Sequence, residues 1–272
     1  MPELPEVETV RRSLVDLVLG RTITSVEVIY SKIIKNVTIE SFKESLKNQR
    51  INEIARVGKY LVFILDNYIL LSHLRMEGKY FYKNTELTKH DHIVFNLDDG
   101  FKLVYNDTRK FGVMYLFNTT NLEEVKKLEP LSKLGKEPNT NELTADYLYN
   151  KLKNKKEPIK VALLDQSIIS GLGNIYVDEV CFLSKLNPKT ISSSLTIDDC
   201  DRIVKSAGIV ITKAISLGGT TIKSFMSSHE ISGLFQNELN VHTKKTCKVC
   251  NSEIIKIRVG GRGTYYCPNC QK

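Results

Sequence analysis

Four of the six cysteines form two Cys-x2-Cys pairs near the end of the chain. The first pair, Cys247 and Cys250, is separated by 16 residues from the second, Cys267 and Cys270. Two cysteines on a tight turn direct both sulfurs at one ion, and two such turns on a β-hairpin complete a tetrahedron of thiolates. The spacing predicts one structural zinc ion, because four thiolates leave no open coordination position. Disulfides or unpaired thiols are the alternative, and disulfides are rare in cytosolic proteins.

The segment between the two pairs contains Gly260, Gly261 and Gly263, which allow a sharp turn, and places Arg262 at its tip. A guanidinium on a rigid hairpin is a good phosphate ligand. A solvated arginine on a basic surface fits these residues equally well.

The N-terminus carries a second candidate for chemistry. Aminopeptidases generally remove Met1 before a small residue, which would leave Pro2 with a free secondary amine. An α-amino group titrates near ~8, so part of it is nucleophilic at neutral pH, and amines of this kind form Schiff bases. Glu3 and Glu6 are placed to transfer protons. Alternatively, Met-Pro is a common start, and glutamates favour the first turn of any helix.

The positive charge is concentrated at one end of the chain. The 272 residues carry a formal net charge of +8, and residues 241–272 hold seven basic residues against one glutamate. The first 240 residues are therefore nearly balanced, at +2. This distribution indicates a polyanionic partner for the C-terminal segment. No run of ~18 apolar residues is present and the N-terminus is acidic, so we expect a cytoplasmic protein without a membrane span.

The elements that must position these residues change in type along the chain. Residues 5–19 have the apolar spacing of an amphipathic helix. Short runs rich in β-branched and aromatic residues then predict an antiparallel sandwich or barrel. These runs are Val26–Tyr30, Tyr60–Leu65, Tyr68–Leu71, Ile93–Leu97, Phe101–Tyr105 and Val113–Phe117.

The second half of the chain favours helices. We predict them over Leu143–Leu152, Pro158–Ile169, Ile175–Leu186 and Ile197–Leu217. Thr196 can cap the last helix and Gly218-Gly219 can end it. Cys181 and Cys200 lie on apolar helix faces and are interpreted as core residues.

These signals predict an α+β multidomain protein. The domains are a helix plus antiparallel β-sandwich (1–120), a linker (121–140), a helical domain with a loop over 219–240 (141–240), and a zinc-finger β-hairpin (241–272).

Motifs in each of the three domains outside the linker resemble the bacterial formamidopyrimidine-DNA glycosylases, in the order of that family. They are Met1-Pro2-Glu3-Leu4-Pro5-Glu6, Gly58-Lys59-Tyr60-Leu61, His73-Leu74-Arg75-Met76-Glu77-Gly78, Lys89-His90-Asp91-His92, Asp107-Thr108-Arg109-Lys110-Phe111-Gly112, Gly171-Leu172-Gly173-Asn174 and Gly261-Arg262-Gly263-Thr264-Tyr265-Tyr266-Cys267. The resemblance implies a monomeric, bifunctional enzyme of base excision repair that binds double-stranded DNA. Such an enzyme excises oxidised purines, mainly 8-oxoguanine and formamidopyrimidines, and then cleaves the strand as an AP lyase by β,δ-elimination. It also implies a helix–two-turn–helix fold for the helical domain.

The resemblance also assigns roles to single residues. Pro2 matches the nucleophile that attacks C1′, and Glu3 the acid that protonates the sugar ring oxygen. Lys59 matches a lysine of proton transfer and phosphate contact, although a strand-edge lysine is the alternative. Arg262 matches an arginine that grips a phosphate and is linked to δ-elimination, and Glu6 lies in the surround of the site.

Further residues match positions that contact DNA. Met76, Arg109 and Phe111 match side chains that fill the gap left by an everted base, which must leave the stack before it can be attacked. Positions that line the DNA backbone are matched by His73, His92, Lys110, Lys156, Lys160 and Asn174. The loop over 219–240 matches the segment that covers the everted base.

Three other functions fit this sequence less well. The sister enzyme endonuclease VIII removes oxidised pyrimidines and shares the proline, the lysine and the finger, but Leu4 and the set Met76, Arg109 and Phe111 favour the purine branch. A non-enzymatic zinc-finger protein would leave Pro2 and Lys59 unexplained. A tautomerase with an N-terminal proline would be a much shorter chain without zinc.

Overall fold

The computed structural model describes residues 2–220 and 233–272, which separate into two compact units. The first unit contains residues up to Ser132 together with the described part of 218–233. The second contains Lys133–Leu217 and Leu234–Lys272. Among the described residues, no helix is both long and apolar enough to cross a membrane.

The first unit begins with helix α1 (Leu4–Val18), close to its predicted range. The Glu3 backbone N–H donates to the Glu6 side chain, which is one half of a capping box. Pro5 fits the first turn, where its missing N–H costs no hydrogen bond. The buried face of α1 includes Leu4, Val10 and Leu14, and it packs on the sheet.

Eight antiparallel strands follow in this unit. They are β1 (Thr22–Val28), β2 (Gln49–Val57), β3 (Tyr60–Leu65), β4 (Ile69–His73), β5 (Lys79–Lys83), β6 (Asp91–Leu97), β7 (Lys102–Asn106) and β8 (Val113–Phe117). Helix α2 (Ile39–Leu46) lies between β1 and β2, and the short helix α3 (Leu122–Val125) follows β8.

The strand order, β5-β7-β6-β1-β2-β3-β4-β8, divides into two four-stranded halves. β1 and β2 are paired only at their ends, where Thr22 faces Arg50 and Ile23 faces Gln49. The halves share one apolar core, in which Phe63 of β3 packs on Tyr80 of β5 with ring centroids 5.8 Å apart. The predicted antiparallel sandwich is confirmed.

The second unit is helical, with a β-hairpin near its end. Its elements are α4 (Ala145–Leu152), α5 (Ile159–Leu164), α6 (Asn174–Leu183), α7 (Ile197–Ser216), β9 (Ile255–Val259) and β10 (Arg262–Tyr266). Thr196 caps α7 by accepting from the Asp199 N–H, as predicted. Gly218 and Gly219 follow α7 with φ of +73° and +74°, the left-handed conformation that ends helices.

Two differences from the sequence prediction concern the limits of elements. α5 ends at Leu164, because the Asp165 carboxylate accepts the Ser167 N–H and hydroxyl and so forms a turn instead of a further helical turn. Within the predicted linker 121–140, α3 is helical and Lys136 forms a bridge with Ile169. Of the predicted loop over 219–240, residues 221–232 lie outside the part of the chain that the structure describes.

Candidate active site and nucleic-acid interface

Two buried glutamates, Glu3 and Glu6, lie at the N-terminus of α1, where Pro2 directly precedes Glu3. The Glu3 N–H donates to Glu6 Oε2 at 2.8 Å, and both glutamates are 3% exposed. Pro2 is buried at the same end of the helix. Pro2, to which sequence reasoning assigns a free secondary amine, directly precedes Glu3 and is buried like both glutamates.

Glu6 has a second set of partners, which the sequence did not reveal. Its Oε1 accepts the backbone N–H and the hydroxyl of Thr220, at 2.9 and 3.0 Å. Gly219 lies so close that a Cβ there would be 2.8 Å from the same oxygen. Glu6 thus joins the first turn of α1 to the residues that follow α7 in the chain.

Lys59 occupies the two-residue turn between β2 and β3, where Gly58 has a φ of +57°. Its side chain is 4% exposed, so it is not the solvated strand-edge lysine that was the alternative. Arg56 ties this turn to α1, because its Nε contacts Glu8 Oε2 at 3.3 Å and its Nη1 donates to the Gly58 carbonyl at 2.8 Å.

Glu8 is held in its charged form by this arrangement. Burial alone would raise the pKa of Glu8, but the hydrogen bond and charge of Arg11, helped by Arg12 and Arg56, keep that pKa below its usual range. The carboxylate is therefore a permanent anchor for Arg56 at neutral pH.

His73, at the end of β4, is buried and neutral. Its Nδ1 accepts the Arg75 N–H at 2.9 Å, and its ring meets Tyr60 edge-on at 4.6 Å. Burial, and then the positive charges of Arg75 and Lys59, lower the pKa of His73 to about 3. Because Nδ1 is an acceptor, the ring keeps its proton on Nε2.

The three residues predicted to enter the DNA lie on two loops. Met76 is half-buried in the turn after His73, whereas Arg109 and Phe111 are exposed on the loop between β7 and β8. The loops are linked by the Thr108 hydroxyl, which donates to the Glu77 carboxylate.

Asp107 organises the second of these loops. This fully buried carboxylate accepts the backbone N–H groups of Arg109, Phe111 and Gly112 at 2.8–3.0 Å. His92 Nε2 donates to the Asp107 carbonyl at 2.8 Å. His92 was predicted to line the DNA backbone, but the structure buries its side chain beneath the loop.

Lys110, in the same loop, has a φ of +57°, and its ammonium lies 4.8 Å from the Tyr30 ring centroid. The loop therefore exposes Arg109, Lys110 and Phe111 on a backbone that the buried Asp107 carboxylate holds by hydrogen bonds. Sequence reasoning included Asp107 in a motif but did not predict its role in the loop, although an aspartate at the start of a turn is a recognised loop signal.

Tyr105 is a further residue that the sequence did not single out. A Cβ on Gly112 would lie 1.6 Å from its hydroxyl oxygen, and a Cβ on Gly78 would lie 2.3 Å from it. Burial, then the charge of Asp107, raises the pKa of Tyr105 above its ordinary value, so the hydroxyl stays protonated. Both glycines are required because the phenol occupies the space of their side chains.

In the second unit, the start of α6 meets the hairpin. Asn174 Nδ2 donates to the Gly263 carbonyl at 3.0 Å, and the neighbouring Arg262 is exposed. The first N–H groups of a helix favour anions, so this corner has donors suited to a phosphate. Lys156 is also exposed.

Lys160 differs from the other basic residues predicted to line DNA. The structure places its ammonium in the interior with no exposed surface, where it donates to Asp178 at 2.6 Å. The resemblance placed Lys160 among the positions that line the DNA backbone, whereas the structure buries its ammonium in this ion pair, which corrects that expectation.

The four cysteines of the two pairs converge at one point, as the spacing predicted. Their sulfurs all lie within 4.8 Å of one another, with Cys247 and Cys270 3.8 Å apart and Cys250 and Cys267 3.5 Å apart. A tetrahedral ion with Zn–S bonds of about 2.3 Å separates its sulfurs by about 3.8 Å. The donor set therefore fits one structural zinc ion.

Comparison with protein families gives three matches that together span most of the chain. Residues 1–114 match the formamidopyrimidine-DNA glycosylase N-terminal domain, and residues 134–226 match the H2TH domain of the same glycosylase. Residues 244–272 match a zinc finger found in FPG and IleRS.

Curated relatives align over the full length. A formamidopyrimidine-DNA glycosylase of Exiguobacterium sibiricum is 47% identical, with 100% of this chain and 99% of the relative covered. One from Halalkalibacterium halodurans is 45% identical, with both chains fully covered.

Solved structures with the same fold contain DNA. Wild-type Fpg of Lactococcus lactis, in complex with DNA containing N7-benzyl-Fapy-dG, is 40% identical with a TM-score of 0.89, and both chains are fully covered. The complex of Lactococcus lactis Fpg with abasic-site DNA is also 40% identical, with a TM-score of 0.89 and 99% of each chain covered.

Proposed function

This chain belongs to the formamidopyrimidine-DNA glycosylase family, and from that premise we propose that it is a bifunctional glycosylase and AP lyase with Pro2 as its nucleophile. Family membership makes it a DNA glycosylase of base excision repair. We further propose that its substrates are 8-oxoguanine and formamidopyrimidines in double-stranded DNA. It would act as a monomer in the bacterial cytoplasm.

In the first step, the Pro2 nitrogen uses its lone pair to form a bond to C1′ of the damaged nucleoside. The bond from C1′ to the base breaks, and the base leaves with those electrons and takes up the proton that the Pro2 nitrogen loses. The bond from C1′ to the ring oxygen then opens, and that oxygen receives a proton from Glu3. The product is an iminium ion, or Schiff base, between Pro2 and the opened sugar.

In the lyase step, the iminium draws electrons from the sugar. Loss of a C2′ proton breaks the C3′–O3′ bond, and a second elimination, in which the C4′ proton is lost, breaks the C5′–O5′ bond. The phosphates leave with the bonding electrons, and water then releases Pro2. Lys59 transfers protons and contacts a phosphate, and Arg262 stabilises the phosphate that departs in the second elimination.

The DNA contacts follow from where the other side chains lie. Met76, Arg109 and Phe111 would fill the space of the everted base, and inserted side chains of this type kink the duplex. His73 offers an Nε2–H, and Lys110, Lys156 and Asn174 offer donors to the sugar-phosphate backbone. Zinc, bound by the four cysteines, supplies structure to the finger that carries Arg262.

The observation that carries this proposal is the arrangement at the start of α1. Glu3 and Glu6 are buried beside Pro2, and Glu6 fixes the Glu3 backbone through a 2.8 Å hydrogen bond. A catalytic acid must keep its geometry relative to the nucleophile, and a buried, hydrogen-bonded pair supplies that order.

Borohydride trapping on duplexes with 8-oxoguanine opposite cytosine tests the proposal. Borohydride reduces the iminium to a stable amine, so we expect a covalent adduct that mass spectrometry places on Pro2. A matched protein that retains Met1 or an N-terminal tag has an amide at Pro2 and should give no adduct. Absence of an adduct with the processed protein would rule out Pro2 as nucleophile, and preference for thymine glycol would instead assign the chain to the pyrimidine branch.

A further inference from the structure

Lys160 and Asp178 form an ion pair that the proposed chemistry does not use. Their side chains are fully buried, and Lys160 Nζ lies 2.6 Å from Asp178 Oδ1. Removing two charges from water is costly, and an apolar pair of the same volume often stabilises a protein as well or better. A contribution to stability therefore does not by itself explain why this position holds a buried ion pair.

The remaining hydrogen bonds of the pair lead to the hairpin of the finger. Asp178 Oδ2 accepts the Tyr265 N–H at 3.2 Å, and Lys160 Nζ donates to the Gly263 carbonyl at 3.1 Å. Gly263 and Tyr265 are the first and third residues after Arg262 on β10. The ion pair thus fixes the strand immediately beyond the arginine at two points.

The segment leading into the finger is attached to the same helix, α6. His242 Nδ1 donates to Asp178 Oδ2 at 2.7 Å, and the His242 ring meets Tyr265 edge-on at 5.0 Å. Glu179, 1% exposed, accepts the backbone N–H groups of Asn240, Val241 and His242 at 2.8–3.0 Å. Two neighbouring carboxylates of α6 therefore secure both the beginning of the finger and its second strand.

We propose that Lys160 and Asp178, assisted by His242, are positioning residues that aim Arg262 at its phosphate and make no contact with DNA themselves. The inference rests on the proposed phosphate contact of Arg262. Asn174 donates to the same Gly263 carbonyl that Lys160 holds, so the start of α6 and the arginine keep a fixed spacing. A phosphate between them then meets donors that are already in place.

The salt dependence of DNA binding distinguishes this role from the alternatives. Each phosphate contact contributes about 0.9 to the slope of log K against log salt. The experiment measures this slope, with a duplex containing an abasic-site analogue, for Lys160→Met, Arg262→Ala, the double variant and Lys205→Met. Lys205 is an exposed lysine of α7 outside the proposed interface and controls for the loss of one positive charge. Zinc content and Tm are recorded for each protein.

We expect Lys160→Met and Arg262→Ala each to lower the slope by about 0.9, and the double variant to lose no more than Arg262→Ala alone. Lys205→Met should keep the wild-type slope. Additive losses in the double variant would show that Lys160 contacts a phosphate itself, and a lower Tm with an unchanged slope would show a purely structural role. Either result overturns the inference.

A second variant covers the case in which Lys160→Met does not fold, because it leaves Asp178 buried without its cation. His242→Phe keeps the ion pair and the ring packing on Tyr265 but removes one hydrogen bond to Asp178. We expect a smaller loss of slope that disappears in the Arg262→Ala background, and an unchanged slope would count against the inference. If Arg262→Ala itself keeps the wild-type slope, the proposed phosphate contact is what fails.

Discussion

The guanidinium of Arg109 lies 4.7 Å from the ring centroid of Phe111, on the loop between β7 and β8. Phe111 is 50% exposed, and such a cation–π pair contributes about 0.5–1 kcal/mol at the surface. Two of the three side chains proposed to enter DNA thus contact each other before DNA binds. Because ordering side chains on binding costs free energy, this pairing favours insertion.

Asp107→Asn should disturb this loop without changing its surface residues. Oδ1 accepts the Arg109 N–H, and Oδ2 accepts the N–H groups of Phe111 and Gly112. In asparagine one of these oxygens becomes an NH2 group, which cannot accept a hydrogen bond from a backbone N–H. We expect the free energy of unfolding in urea to fall by about 1–3 kcal/mol. Excision of 8-oxoguanine should slow about tenfold, which corresponds to about 1.4 kcal/mol.

Asp98→Asn, at an exposed aspartate of the same unit, is the control for this variant. It should keep both stability and rate. A destabilised Asp107→Asn protein with wild-type excision would show that the order of the loop does not matter for the reaction.

Gly112→Ala should destabilise the protein through a steric conflict. The new Cβ would lie 1.6 Å from the hydroxyl oxygen of Tyr105 and 2.6 Å from its Cζ. Overpacking of this kind costs about 1–3 kcal/mol, measured by urea unfolding. Adding Tyr105→Phe removes the hydroxyl and should restore part of the loss.

Gly208→Ala, within α7, supplies the contrast. Among the described residues outside the helix backbone, its Cβ would meet only the Pro138 carbonyl oxygen, at 3.4 Å. This change should be neutral or stabilising by up to about 1 kcal/mol, because alanine favours helix. Equal losses at the two glycines would refute the steric explanation.

His73 should make the first unit less stable in acid. Its pKa is lowered to about 3 in the folded chain, mainly by burial, against 6.5 as the ordinary value. Between these values the unfolded chain binds the extra proton, so the free energy of unfolding falls as pH decreases from 6.5 towards 3. At 1.36 kcal/mol per pH unit, the His73 contribution amounts to about 2 kcal/mol between pH 6.5 and pH 5.

His73→Gln cannot take up this proton and should flatten the profile of unfolding free energy against pH over that window. The wild-type and variant profiles should run parallel above pH 7. Profiles that stay parallel down to pH 5 would mean that His73 takes up its proton as readily in the folded protein as in the unfolded chain, which would contradict the lowered pKa.

The parts of the fold that the sequence predicted are those with regular patterns. Tyr60–Leu65 and Val113–Phe117 are apolar runs with clear limits, and both form strands with the predicted bounds. β2 was missed because its pairing with β3 shifts register between Ile51 and Glu53. A bulge of this kind interrupts the alternation of apolar and polar residues that sequence reasoning uses.

The residues of the candidate site likewise fall into those with a regular sequence pattern, which were predicted, and those without one, which were not. The four cysteines were predicted as zinc ligands because their spacing along the chain is typical of such sites. Glu179 was not, because its partners at Asn240, Val241 and His242 are backbone N–H groups some 60 positions away, and any sequence can supply these. Lys160 was assigned to the DNA backbone through the family resemblance, because its buried partner, Asp178, is 18 positions away and is brought close only by the packing of α5 and α6.

Zinc removal should unfold the finger and leave the sheet of the first unit intact. The apolar cluster around the ligands consists of Phe182, Val241, Ile254, Cys247 and Cys267, so two of its five buried members are themselves zinc ligands. Such a small core does not stabilise a hairpin alone, and metal binding supplies its folding free energy. After chelation, amides of β9 and β10 should lose protection from hydrogen exchange while those of β3 stay protected. Cys250→Ser should reproduce this result, whereas Cys200→Ser, at a buried cysteine of α7, should keep its zinc. Protected hairpin amides after verified metal loss would show that the finger folds without zinc.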